Sequence, residues 1–246
     1  MKQFLPTLFF IGVLSTTLFS QTFKSGEEKV SLIELYTSQG CSSCPPADKW
    51  LSNLKEEKTL FTKFIPLAFH VTYWNYIGWS DVFANSENDN RQRAYANELW
   101  RKNSVYTPQF VVDTKEYREW FGDKSLPKFS DKYAGNLEVT LDKKNNITVV
   151  YNNKNIKKKD VIINIAIAGF DYSIDIKRGE NSHKTLKHDF VVLKHIKENS
   201  MIKNNTLHYK TTLSSLGDTN HKKALVVWIS DRKHKQLQAV GNYVEE

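Results

Sequence analysis

The chain has 246 residues, 40% of them hydrophobic and 25% charged, with 35 Lys and Arg against 27 Asp and Glu. These values fit an ordinary globular protein of one large or two modest domains and exclude a disordered or fibrous chain. Only 2 cysteines are present, too few for a disulfide-stapled miniprotein or a four-cysteine zinc site.

The first twenty residues read as an export signal rather than as part of the fold. Lys2 supplies a positive start, and residues 4–19 are apolar but broken by Pro6, Gly12 and hydroxyl side chains. A membrane span needs about 20 predominantly apolar residues. This stretch is short of that, and Ser20 offers a small residue for cleavage before Gln21. An uncleaved N-terminal anchor is the competing reading. Residues 1–20 are expected to be removed, leaving an exported protein, periplasmic or secreted, with no stable membrane anchor after cleavage. The cationic surplus lies after Gly135 and is mostly lysine, as in Lys157, Lys158 and Lys159. Such a run suits a solvated turn better than bidentate phosphate contacts, so nucleic acid is not an expected partner.

From residue 30 to about 134, strand-like and helix-like patterns alternate. Residues 30–37 are β-rich and end in the turn Ser38, Gln39, Gly40. Residues 45–58 read as a helix with two prolines in its first turn, where they are tolerated. Residues 64–71 form an apolar run suited to a buried strand. Residues 86–102 read as a helix capped by Ser86, residues 110–112 as a third strand, and residues 126–133 as a closing helix. This alternation predicts an α/β layer with at least one parallel crossover over residues 21–135, interrupted by a helical insertion at 72–104. After Gly135 helical periodicity fades. Residues 137–141 and 147–151 flank a polar turn, and further strand-like runs follow at short spacing, which predicts a small all-β sandwich over residues 136–246.

Both cysteines fall in Gly40-Cys41-Ser42-Ser43-Cys44-Pro45, after a strand and at a helix start. A thiolate is the nucleophile in disulfide exchange, and a helix N-terminus favours an anion. Cys41 is therefore the candidate nucleophile. Cys44, two residues on, is placed to resolve a mixed disulfide. Three other readings compete: an inert structural disulfide, half of a metal site, or chance. A four-residue staple closes too small a loop to add much stability, and strand-turn-helix context in an exported chain favours redox chemistry. Thr107-Pro108, just before a strand, is the second element. A cis peptide bond there would present the Thr107 backbone beside the cysteines, where an extended substrate could pair with it.

The residues Glu34-Leu35-Tyr36-Thr37-Ser38-Gln39-Gly40-Cys41-Ser42-Ser43-Cys44-Pro45-Pro46-Ala47-Asp48 resemble the thioredoxin superfamily, and within it an exported family called domain of unknown function 1223. The resemblance continues through Ala68-Phe69-His70-Val71, Tyr73-Trp74, Gly78-Trp79, Gln92-Arg93-Ala94-Tyr95-Ala96 and Tyr106-Thr107-Pro108-Gln109. More loosely it reaches Gly179-Glu180-Asn181, Leu186, His188 and Val226-Val227-Trp228. It implies a thioredoxin-like domain followed by a β-rich domain, with Cys41, Cys44 and Pro108 in the superfamily's usual roles. It brings no substrate.

Around this motif, Glu34 could relay protons between the sulfurs and solvent or be a hydrogen-bonded structural glutamate. His70 ends the presumed central strand, where it could tune the thiolate, join the two sulfurs on a metal such as copper, or serve only structure. Tyr73, Trp74, Tyr76 and Trp79 form a dense aromatic patch, either core or the wall of a peptide site, with Trp74 and Thr107 as the substrate-binding candidates. The six histidines after residue 180 show no ligand-like pairing and receive no metal role. The sequence thus predicts an exported thiol–disulfide oxidoreductase acting on protein or peptide cysteines with a redox partner protein and no cofactor. The alternatives are a metal-handling protein using Cys41, Cys44 and His70, and a binding or adhesion module built on the β-rich half.

Overall fold

The computed structural model describes residues 20–217 and 219–245. Apart from Ser20, the predicted export signal lies outside the described residues. In chain order the elements are β1 (Ser20–Lys24), β2 (Ser31–Thr37), α1 (Pro45–Asn53), β3 (Phe64–His70), α2 (Ser86–Ala94), β4 (Gln109–Val112), β5 (Lys115–Glu116), β6 (Asn136–Asp142), β7 (Asn146–Asn152), β8 (Lys158–Gly169), β9 (Tyr172–Asp175), β10 (Thr185–His188), β11 (Val191–Lys203), β12 (Thr206–Thr212), β13 (Lys223–Asp231) and β14 (Gln236–Tyr243). No helix among the described residues is long and apolar enough to cross a membrane.

The predicted fold, an α/β thioredoxin-like domain followed by a separate small β-sandwich, is not what forms. Twelve strands hydrogen-bond into one mixed sheet, and α1 and α2 are the α-helices among the described residues. The junction is β11. It runs antiparallel to β8 along its length, turns into β12, and at Val191 pairs in parallel with Ala68 of β3. Strand β3 lies parallel to β2, which is antiparallel to β4.

Side-chain alternation explains why the halves merge. On β13, Ala224, Val226 and Trp228 face a core shared with β2, β3 and α1, while Leu225, Val227 and Ile229 face a second core with β6 and β7. Strand β8 divides in the same way, Ala166 and Ala168 to one side and Ile163, Ile165 and Ile167 to the other. Successive side chains of a strand point to opposite faces. An uninterrupted apolar run such as residues 224–229 therefore needs a hydrophobic partner on both faces, which a free-standing sandwich strand does not have.

Three predicted helices are shorter or missing. The helix expected at 45–58 stops at Asn53 and closes in a short 3-10 turn, Leu54–Glu56. The one expected at 86–102 stops at Ala94 and widens into a π turn, Tyr95–Leu99. Its cap is Asn85, whose side chain accepts from the Glu87 amide at 2.8 Å, rather than Ser86. Residues 126–133 are not helical. Strands β10 and β11 are separated at residues 189–190, where Phe190 takes a φ of +57°.

Candidate functional site

Strand β2 delivers the chain into a tight loop in which Cys41 N donates to Ser38 O and Cys44 N to Cys41 O, both at 3.2 Å. Cys41 and Cys44 form a disulfide at the head of α1, and both residues are fully buried while Ser42 and Ser43 between them are exposed. Gly40 makes this packing possible. A Cβ there would meet Trp74 and Ile77 atoms at 3.2 Å, so an added methyl would require these neighbours to give way by a few tenths of an ångström.

The helix start differs from the simplest expectation. Pro45 and Pro46 occupy the first two helical positions and carry no N–H, so two donors that would face an anion are missing. The nearest hydroxyl to the Cys41 sulfur is Ser43 Oγ, 3.3 Å away. A thiolate at Cys41 would rely on that group and on the helix dipole.

Opposite the disulfide stands the segment before β4. The Thr107–Pro108 peptide is cis, and the Thr107 carbonyl lies 3.8 Å from Cys41 Sγ. Two side chains hold this segment in place. Trp74 Nε1 donates to Thr107 Oγ1 at 2.7 Å, and Gln92 of α2 donates to Tyr106 O and Gln109 Oε1, both at 2.8 Å. Tyr76 stacks on Trp74 and is 81% exposed, so it forms a rim here, while Tyr73 and Trp74 are partly buried against the core.

The C-terminal half closes the other side. Asn181 is fully buried, and its Nδ2 donates to Gln39 O and Cys41 O at 2.9 Å each. Glu180 accepts from the Ser42 amide at 3.0 Å, and the Ser42 hydrogen bonds hold its carboxyl below the usual range. Both residues belong to the Gly179-Glu180-Asn181 motif, to which the sequence alone assigned no role. Their partners lie about 140 positions away, a pairing that only the merged sheet brings about.

Glu34 is brought to Arg91 rather than to the sulfurs. Its two oxygens take a bidentate contact from Arg91 at 2.7 and 2.8 Å, the Tyr95 hydroxyl at 2.7 Å and the Tyr36 hydroxyl at 3.0 Å. Burial works against the Arg91 charge, but Glu34 outweighs it and keeps the guanidinium protonated. Burial and the adjacent carboxylate also raise both tyrosines, so they donate. Arg91 lies about 5 Å from the Phe69, Tyr95 and Trp228 ring centres.

His70 does not hydrogen-bond a sulfur. Its Nδ1 sits 2.7 Å from Asp81 Oδ2, which also accepts from the Gln39 amide at 2.7 Å. Burial disfavours the imidazolium, yet Asp81 and Asp48 outweigh it and raise the His70 pKa. Burial likewise opposes the Asp81 charge, but His70 and the Gln39 and Phe83 amides bring that carboxyl below its ordinary value.

Fold and site together define a predominantly β protein carrying a CxxC disulfide at a helix head, clasped between a cis-proline segment and a loop of the C-terminal half. The chain belongs to the family described as protein of unknown function DUF1223, whose model matches residues 32–230. Two solved structures share the fold. A crystal structure of a protein from Agrobacterium tumefaciens is 22% identical with a TM-score of 0.60, covering 89% of this chain and 95% of that one. The protein HBP35 of Porphyromonas gingivalis is 12% identical with a TM-score of 0.58, covering 89% of this chain and 76% of that one. No curated protein matches the sequence.

Proposed function

We propose that this protein is an exported thiol–disulfide oxidoreductase acting on protein cysteines. One observation carries the reading: a Cys41–Cys44 pair at a helix head with exposed Ser42 and Ser43 between them and the Thr107 carbonyl 3.8 Å from Cys41 Sγ. In the reducing direction the Cys41 thiolate attacks one sulfur of a substrate disulfide, forming a mixed disulfide and releasing a substrate thiolate. Cys44, as thiolate, then attacks Cys41 Sγ and releases the second substrate sulfur. Two electrons pass to the substrate, and the enzyme is left with the Cys41–Cys44 disulfide. The oxidising direction is the reverse, and a partner dithiol or disulfide protein restores the starting state.

Neither sulfur reaches the surface, so exchange requires the rim of Trp74, Tyr76, Thr107 and Glu180 to open. Tyr76 and Trp74 would then flank an extended peptide lying along residues 106–108. The apolar N-terminal stretch supports placing this chemistry outside the cytoplasm, where disulfides persist. The test is trapping. Cys44→Ser should accumulate mixed disulfides with extracytoplasmic proteins through Cys41, and the wild type should reduce or oxidise a model protein. No trapped partner together with no exchange by the wild type would overturn the proposal.

A further inference from the structure

Beneath the cysteine loop, three side chains from distant parts of the chain meet in the interior. Asp48 comes from α1, His70 from the end of β3 and His188 from the end of β10, and all three are buried. Their free ligand atoms lie within 4.8 Å of one another.

The hydrogen bonding leaves each residue with an unused donor atom. Asp48 Oδ2 accepts from the Thr37 hydroxyl at 2.8 Å, while Oδ1 lies 3.7 Å from His188 Nδ1. Asp81 accepts at His70 Nδ1, so that nitrogen carries a hydrogen and Nε2 is the ring atom left for a cation, which would displace any proton there. His70 Nε2 is buried and has no partner, and the same is true of both nitrogens of His188. Phe83 closes the space, its ring centre 5.3 Å from that of His70 and 5.8 Å from that of His188. Buried polar atoms are nearly always satisfied, so two histidines with orphaned nitrogens beside one carboxylate need an explanation. An ion between the two rings would take one nitrogen from each.

We propose that Asp48, His70 and His188 form a buried site for a divalent cation of the zinc class. Two imidazole nitrogens and one carboxylate oxygen are the donor set such an ion takes. The Asp81–His70 contact is the outer-shell carboxylate that orients a ligating imidazole, and the Thr37 hydroxyl orients Asp48 in the same way. A +2 ion would also offset the two carboxylates. Donors at 2.0–2.2 Å from one ion stand about 3.5 Å apart, so the three side chains draw together by about 1 Å on loading. The site would clamp β10, and the loop carrying Glu180 and Asn181, onto α1. It needs no cysteine and is independent of the redox reading.

The experiment uses the full chain with its disulfide intact, stripped with chelator and given Zn²⁺ or Co²⁺ both when folded and during refolding, since all three side chains are buried. One equivalent should bind with submicromolar affinity. The Co²⁺ form should show d–d bands without a thiolate charge-transfer band. Asp48→Asn and His188→Ala should each weaken binding at least 100-fold. The wild-type stoichiometry and spectrum decide the matter even if a variant fails to fold. Absence of stoichiometric binding would overturn the proposal, as would binding that survives both substitutions. Binding that appears only after reduction, with a thiolate band, would assign the metal to the cysteines instead.

Discussion

Replacing Glu34 by Gln separates a structural carboxylate from a proton relay. The substitution keeps the shape but removes the charge that neutralises Arg91, whose guanidinium is buried among Phe69, Tyr95 and Trp228. Four hydrogen bonds converge on the Glu34 oxygens, two of them from Arg91. Breaking a buried ion pair by removing one partner costs about 3–5 kcal/mol, because the other charge is left uncompensated. Urea unfolding of the oxidised protein should therefore show Glu34→Gln destabilised by about that amount. The double change Glu34→Gln with Arg91→Met should lose less than the sum of the single changes. The pH profile of thiol–disulfide exchange should stay in place, since Glu34 makes no contact with a sulfur. A variant within about 1 kcal/mol of wild type, or one of normal stability with a displaced pH profile, would refute this assignment.

Two further outcomes follow from the same geometry. His195 stacks on Trp228 with its Nε2 at 3.1 Å from Asn164 Oδ1, and burial with the Arg91 and Lys197 charges lowers its pKa to about 2. It stays neutral when folded but charges when unfolded below about pH 6.5, so stability present above that value falls as the pH drops; at pH 5 the loss is at most about 2 kcal/mol. Denaturant midpoints at pH 7 and pH 5 should show a shallower pH slope for His195→Gln, and an NMR titration showing His195 protonating near pH 6 would contradict it. Asn181→Ala removes both hydrogen bonds to Gln39 O and Cys41 O, an expected cost of about 1–3 kcal/mol. Amide exchange should then accelerate across residues 38–43, and unchanged protection there would show that the loop does not hold the cysteines.

The cysteine loop was legible because its signals are local: Gly40 before Cys41, prolines at the helix start, and Thr107-Pro108 before a strand. The shape around it was not. Asn181, Glu180 and His188 act at positions far away in the chain, and no periodicity in residues 178–188 marks them as partners of residues 39–48. Arg91 did leave a trace. Residues 86–94 are almost wholly polar, yet Asn88, Arg91, Gln92 and then Tyr95 recur at helical spacing and are buried. A polar inward stripe of that kind indicates a buried network, and a search for apolar faces passes over it. The fold class failed for a related reason: the unbroken apolar run at 224–229 suits a strand with a core on each face, while turn spacing alone suggested an independent sandwich.

The most direct test of the redox account is the reduction potential of the Cys41–Cys44 pair, measured by equilibrating the full chain in glutathione buffers and counting thiols. An exchange catalyst should titrate as a two-electron couple between about −270 and −120 mV. A pair that stays oxidised at potentials below about −300 mV would be a structural disulfide, and the proposed activity would be wrong.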